Sequence, residues 1–407
     1  MEEWKTYRLG EVCKIFGRIG FRGYTIDDIV DDPSQGAISL SPTNIVGGVL
    51  DLSKPTYISW EKYYESPEIM IEENDIVIVK TGSSVGRTAI IRSVPHPMTL
   101  NPQLVVLKNV SINKRYLGYL VKSREFQGKL LSIVVGSAIP TLSQKNLSNL
   151  TIHVPSLNKQ EQVANLLSIL DDKIELNNRI NHNLEQQAQA LYKSWFVDFE
   201  PFNGGKFVDS ELGMIPEGWQ VGNIYKYIDV IYGAPYKSSL FNESKDGYPL
   251  VRIRDLKSFS PQFYTTERLP QTELVNSGDI VAGMDAEFIP CIWLGETGVL
   301  NQRCCKFVGK SPNISNLYVL HLVKPELEYV QSYKTGTTVS HLGKSDIDKF
   351  MVIHPEEAIV HQFSAICKPL FEEQIKCSAE IRQLTNLRDT LLPKLMSGEL
   401  KINDLTC

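Results

Sequence analysis

GSAIPTLSQKNLSNLTIHVP, from Gly136 to Pro155, aligns without a gap on GTTVSHLGKSDIDKFMVIHP, from Gly336 to Pro355. The same shift carries one helical pattern onto another. Val163, Leu167, Leu170, Ile174, Leu184, Leu191 and Trp195 map onto Phe363, Cys367, Leu370, Gln374, Leu384, Leu391 and Leu395. Solenoid repeats have periods of about 20 to 50 residues. A period near half of a 407-residue chain therefore means two copies of a whole domain, each followed by a long helix.

Working outward, each copy opens on a tryptophan: WKTYRLGEVCKIFG from Trp4 and WQVGNIYKYIDVIYG from Trp219. GAISLSPTNI (Gly36 to Ile45) aligns with GYPLVRIRDL (Gly247 to Leu256), and IEENDIVIV (from Ile71) with VNSGDIVAG (from Val275). LNPQ at Leu100 aligns with LNQR at Leu300. The offset drifts between blocks, which places insertions in loops on a shared scaffold. Alternating β-branched runs such as DIVIVK, TAIIR, QLVVLK and RCCKFV predict strands, and RYLGYLVKSREFQGKLL (Arg115 to Leu131) predicts a helix. Each copy is thus mixed α and β, and the fold class is α+β.

After Pro155 and Pro355, apolar residues recur at steps of three and four. In the first copy the seam passes through Asn177 and Asn181, and in the second through Gln374 and Arg388. Read as proline-free runs of roughly 40 residues, the helices would each span about 60 Å. Neither can bury its stripe alone, and antiparallel pairing solves both problems. The expected segments are a first domain at 1–154, a first coiled-coil helix at 155–200, a linker and second domain at 201–354, and a second helix with a C-terminal tail at 355–407. This connectivity puts the two domains at opposite ends of a rod, related by an approximate two-fold. It also brings the tail SGELKINDL near WKTYRL.

Bulk properties narrow the class. The chain has 42 Lys and Arg against 47 Asp and Glu, a net charge of −5. Residues 1–153 are the least acidic part, with 17 basic and 15 acidic side chains. Phosphate binding strengthens with each phosphate neutralised, so a chain of this balance needs a partner's positive charge to hold DNA tightly. No run of about 18 apolar residues exists, which predicts no membrane-spanning helix. The start, MEEWKTYRLGEV, lacks the layout of a signal peptide. The seven cysteines are scattered and form no Cys-x-x-Cys pair, which reads as reduced thiols in a cytoplasmic protein.

KSWFVDFEP, IPEGW and LLPKLMSGEL, together with the repeated W-x-x-x-x-L opening and DIVIVKTGSSVGRTAII, resemble the specificity subunits of type I restriction-modification systems. The resemblance spans essentially the whole chain, in the family's order. It implies two target recognition domains, each reading one half of a bipartite, asymmetric double-stranded DNA site. The halves would lie about one helical turn apart on one face of the duplex. It implies helices that set the gap and dock methyltransferase subunits, expected to be two. It implies restriction-translocase subunits that join the complex, no catalysis by this chain, and no cofactor of its own. S-adenosylmethionine is expected on the partner methyltransferase. The partner-binding helices are marked by Leu167, Leu170, Leu184, Leu191, Trp195, Leu370, Leu384 and Leu391.

Candidate DNA contacts follow from residue chemistry. The loop KTGSSVGR (Lys80 to Arg87) follows a strand. Three residues rather than four separate Gly82 from Gly86, and Arg87 stands where a Walker lysine belongs. The second copy reads GMDAEFIP there, so nucleotide binding is excluded. Lys80, Thr81, Ser83 and Arg87 then either contact DNA or form a plain turn. Asn101-Pro102-Gln103 only approaches the Asn-Pro-Pro-aromatic motif of amino-methyltransferases, and its counterpart is Asn301-Gln302-Arg303. These residue types pair with adenine and guanine edges, or else cap a strand end. Arg252 and Arg254, two apart on an expected strand, would share a basic face, and their counterparts are Ser41 and Thr43. Arg18 and Arg22 sit in a glycine-rich loop. Asp285, beside Glu287, is read as a loop feature or an acceptor for a cytosine amine. Asn44, Ser137, Lys145, Lys237, Thr337 and Lys344 complete the set. A fused methyltransferase or nuclease, or a rod joining two protein-binding modules, is the competing reading. The isolated chain is expected to bind DNA weakly, and less as salt rises. Tight, salt-insensitive binding in a gel-shift titration would contradict this.

Overall fold

The computed structural model describes residues 4–136, 138–334, 340–400 and 402. The chain divides into two compact units. One comprises 1–172 with 384–407, and the other 173–383. The long helices Leu157–Phe196 and Glu357–Ser397 are each shared between the units. The second helix contains Pro369 and Pro393, against the expectation of a proline-free run. It continues through both, although each proline removes one helical donor. Among the described residues, no helix is long and apolar enough to cross a membrane.

In unit 1, Lys5–Arg8 pairs antiparallel with Thr151–Val154. One four-stranded sheet runs in the order Lys14–Phe16, Leu104–Lys108, Ile76–Val79, Thr88–Ile90. A second contains a single parallel pair, Gly36–Leu40 with Met98–Leu100. Strands Ile76–Val79 and Gly36–Leu40 are buried along their whole length, as runs of Ile, Val and Leu covered on both faces require. The expected helix over 115–131 forms as two, Lys114–Lys122 and Arg124–Ser132. The Ser123 hydroxyl caps the start of the second by accepting from Phe126 N.

Unit 2 repeats this order. Gln220–Asn223 pairs with Met351–His354. A four-stranded sheet runs Ile228–Tyr232, Cys304–Gly309, Ile280–Gly283, Cys291–Ile292. The single parallel pair is Tyr248–Val251 with Gly298–Leu300. Cys304 and Cys305 are free, buried strand residues, and burial raises both thiols' pKa.

Pairing of the helices is antiparallel within each unit. In unit 1, Asp171 Oδ1 accepts from Arg388 at 2.8 Å, while Asp171 Oδ2 accepts from the Tyr119 hydroxyl at 2.7 Å. In unit 2, Asn177 Nδ2 donates to Glu380 Oε2 at 2.7 Å, and Asn181 Nδ2 to Ser378 Oγ at 3.0 Å. The motif residues tie these helices to their domains. The first helix ends at Phe196, and Phe199 just beyond it has a left-handed φ of 56°. That turn sets Phe196, Phe199 and Phe202 around Trp219, with ring centroids 6.1, 5.6 and 5.0 Å away. KSWFVDFEPF and IPEGW are thus one aromatic cluster. At the other helix end Leu391, Leu392, Leu395 and Met396 join the unit 1 core. Gly398, at φ 76°, lies against the Trp4 ring, as expected for a tail returning to WKTYRL.

Asn177 is 1% exposed and its Oδ1 has no hydrogen-bond partner. An unpaired buried carbonyl costs about 1 kcal/mol or more. Asn177→Leu, of similar volume, is therefore expected to raise stability by about 1 kcal/mol, read as a higher thermal unfolding midpoint. A lowered midpoint in a melting experiment would show that the Glu380 bond outweighs that cost.

Candidate nucleic-acid interface

The parallel strand of each unit ends in the same device. After Leu40, residues Pro42–Asn44 form a 3₁₀ turn in which Asn44 Oδ1 accepts from Ser41 N at 2.9 Å. After Val251, residues Ile253–Asp255 do the same, and Asp255 Oδ2 accepts from Arg252 N at 3.1 Å. Arg252 and Arg254 therefore do not share a strand face, because the strand stops at Val251. Arg252 folds back, donating from Nε to Asp255 at 3.0 Å and stacking 4.5 Å over the Phe263 ring. Arg254 is exposed. Asn44 is 5% exposed and serves this turn.

Next to that turn the chain comes back in register. Asn101 N donates to Leu40 O and Asn301 N to Val251 O. Each Asn Oδ1 then accepts from the backbone two residues on, Gln103 N at 2.8 Å and Arg303 N at 3.1 Å. These amides are strand-end caps, Asn101 half-buried and Asn301 buried, while Gln103, Gln302 and Arg303 are exposed. Lys80 N donates to Gln103 O and Met284 N to Arg303 O, both at 2.8 Å. Leu142 N donates to Lys80 O and Leu342 N to Met284 O, both at 2.7 Å. The positions Lys80, Thr81, Gln103 and Thr141 in unit 1 thus correspond to Met284, Asp285, Arg303 and His341 in unit 2.

The side chains at these positions differ in kind. In unit 2, Asp285 accepts from Arg303 Nη1 at Oδ2, 2.6 Å away, and lies 2.6 Å from His341 Nδ1 at Oδ1. Both carboxylate oxygens are engaged, so Asp285 is an anchor rather than a free acceptor for a cytosine amine. Glu287 pairs with Lys257 at 2.9 Å. In unit 1, Asn101 Nδ2 reaches Gln103 Oε1 at 3.4 Å. Lys80 is half-buried, and burial lowers its pKa. The loop beyond it is a tight hairpin between Ile76–Val79 and Thr88–Ile90. Gly82 and Gly86 sit at φ 104° and 90°, where a side chain would be strained. Ser83 within the loop and Arg87 at its base, where its carbonyl accepts from Val79 N, are exposed.

The other candidates scatter. Arg18 is 3% exposed; its guanidinium donates to Leu100 O at 2.8 Å, Thr99 Oγ1 at 3.2 Å and Arg22 O at 3.2 Å. It belongs to the interior and leaves the candidate surface. Arg22 meets Glu68 at 3.5 Å. Lys145 and Lys344 are exposed at equivalent short helices, Gln144–Ser148 and Lys344–Ile347. Lys237 is exposed in a separate loop, where its backbone N–H donates to Glu267 at 2.9 Å. Ser137 and Thr337 lie outside the described residues. His341 was missed, and its only sequence signal is alignment with Thr141 inside the repeat. Among the described residues, no cluster of His, Cys, Asp and Glu could hold a metal ion.

The helix leucines also need correction as a partner surface. Leu167 is wholly buried and Leu170 is 8% exposed. Leu191, Trp195 and Leu370 pack against the unit 2 core, and Leu391 against that of unit 1. Leu184 and Leu384 are half-buried. The seam is spent within the chain. Among the described residues, Leu157, Ile169 and Leu387 in unit 1, and Leu176 and Ile366 in unit 2, are the large apolar residues these helices expose.

The profile described as "Type I restriction modification DNA specificity domain" matches residues 1–186 and 216–385. The chain is 29% identical to the Type I restriction enzyme MjaIX specificity subunit of Methanocaldococcus jannaschii, covering 85% of this chain and 82% of that one. It is 23% identical to the HindI specificity subunit of Haemophilus influenzae, covering 98% and 100%. The crystal structure of a type I restriction-modification S subunit from M. genitalium has the same fold, with a TM-score of 0.55 at 14% identity, covering 97% and 96%.

Arg18→Ala would strand several buried acceptors, so unit 1 is expected to lose about 2–3 kcal/mol. Unchanged melting with weakened DNA binding would return Arg18 to the interface.

Proposed function

We propose, from the premise that this chain belongs to the type I restriction-modification DNA specificity family, that its two units each read one half of a split, asymmetric DNA sequence. As a specificity subunit it selects the DNA target and is not itself the catalytic component. The observation that carries the two-part reading is the strand-end device. The same backbone hydrogen bonds recur in both units, while the side chains they present differ: Gln103 against Arg303, Thr81 against Asp285, Thr141 against His341. Identical units would suit a palindrome. Matched scaffolds with unequal edges suit two different half-sites.

Exposed polar residues beside that device, Ser83, Arg87, Gln302, Lys145 and Lys344, are suited to phosphates and sugars, which orient a protein without specifying sequence. Methyltransferase subunits would dock on the outer helix faces rather than the seam. The helices expose large apolar residues in both units, among them Ile169 and Leu387 in one and Leu176 and Ile366 in the other, which fits one copy on each. The methyltransferase would carry S-adenosylmethionine and, with restriction-translocase subunits, would supply the chemistry. The net charge of −5 fits a subunit whose partners furnish much of the phosphate clamp. The complex would work in the cytoplasm, where the host DNA is.

Exchange of residues 1–153 for the matching part of another specificity subunit tests the reading. Methylation-sensitive sequencing of a host expressing the complex is expected to show one half of the motif replaced and the other retained. An unchanged motif would favour a rod joining protein-binding modules.

A further inference from the structure

We infer that Gln103 and Arg303 occupy the same base-reading position of the two units, Gln103 offering its amide to adenine and Arg303 its guanidinium fork to guanine. This rests on the DNA-reading function proposed above and adds the residues and the base classes.

Equivalence comes from the backbone, independently of the side chains. Residues 103 and 303 each follow an asparagine whose N–H is tied to the end of the parallel strand. Each offers its carbonyl to the residue that ends the central antiparallel strand, Lys80 or Met284. Both side chains leave the same point of the scaffold and are exposed.

The chemistry at that point argues for bases over phosphates. The Arg303 side chain is 56% exposed, yet Nη1 is held by Asp285 at 2.6 Å. A carboxylate beside a guanidinium offsets its attraction for phosphate, so the pair is a poor backbone clamp. The anchor instead fixes the plane of the group, while among the described residues no partner takes the Nε–Nη2 edge. A planar, oriented fork is what guanine O6 and N7 require. Asp285 is itself fixed by His341 on its other oxygen and by the turn through Ala286 at φ 62°. Unit 1 has an uncharged amide at the equivalent position, steadied by Asn101 at 3.4 Å. Gln with adenine N6 and N7 is the corresponding pairing. Neither position gains net charge, although both stand exposed on equivalent edges, which fits base discrimination rather than electrostatic attraction.

The test is methylation-sensitive sequencing of hosts carrying the full complex with Arg303→Gln, Arg303→Lys or Gln103→Arg. Arg303→Gln is expected to relax or change one base of one half-site, with discrimination there falling roughly tenfold to a hundredfold. The other half should be untouched. Arg303→Lys should relax the same base, because a point charge cannot fork. Gln103→Arg should alter one base of the other half. The inference is overturned if Arg303→Lys keeps full discrimination or if the Gln103→Arg motif is unchanged. Loss of methylation at all sites together by folded Arg303→Gln would also overturn it. Melting curves establish folding, and if Arg303→Gln does not fold, the other two variants decide. A wild-type complex that methylates no defined sequence would instead sink the DNA-reading function itself.

Discussion

Two helices of 40 and 41 residues carry apolar stripes that neither can bury alone, and the architecture answers that constraint. Antiparallel pairing spends the seam leucines inside the chain and leaves only the outer positions for other proteins. It also turns polar seam residues into registration marks. Asn177 with Glu380, Asn181 with Ser378, and Asp171 with Arg388 are contacts that a slipped pairing would break. Burying such groups costs stability, and fixing register is the best-attested return for that cost.

Much of this was legible in the residues. A repeat whose last block and helical stripe share one shift implies paired helices, because antiparallel pairing buries both stripes. The mixed domains were legible because DIVIVK and QLVVLK are too apolar to be anything but covered strands. Pro369 and Pro393 were the exception: they stand in a stripe read as proline-free, and the helix runs through both. The interface was less legible for a definite reason. Its geometry is set by main-chain bonds between residues far apart in sequence, such as Leu142 to Lys80 and Asn301 to Val251. Arginines in loops look alike in a sequence. Only the fold separates Arg18, held by interior acceptors, from Arg303, held at the surface by one carboxylate. Asn101 and Asn301 drew attention as base-pairing residue types, yet their side chains cap strand ends.

That division of labour has a further meaning. The scaffold's hydrogen bonds at the interface are made by backbone groups, which every residue but proline can supply, and by the side-chain caps Asn44, Asn101, Asp255 and Asn301. The side chains at 81, 103 and 141, or at 285, 303 and 341, can change without costing the scaffold its bonds. The half-site contacts can thus diverge while the fold and the partner faces stay constant.

Unit 1 is made of two stretches, 1–172 and 384–407, whereas unit 2 is one uninterrupted stretch. Synthesis from the N-terminus therefore completes the units in reverse of their order in the chain. Unit 2 has all its residues by position 383. Val163 and Leu167 must wait for Leu391, Leu395 and Met396, which share their core. Until the last helix turns emerge from the ribosome, the first half of the protein holds an uncovered apolar stripe. At about 5–20 residues per second, that interval lasts tens of seconds, long enough for a chaperone to matter.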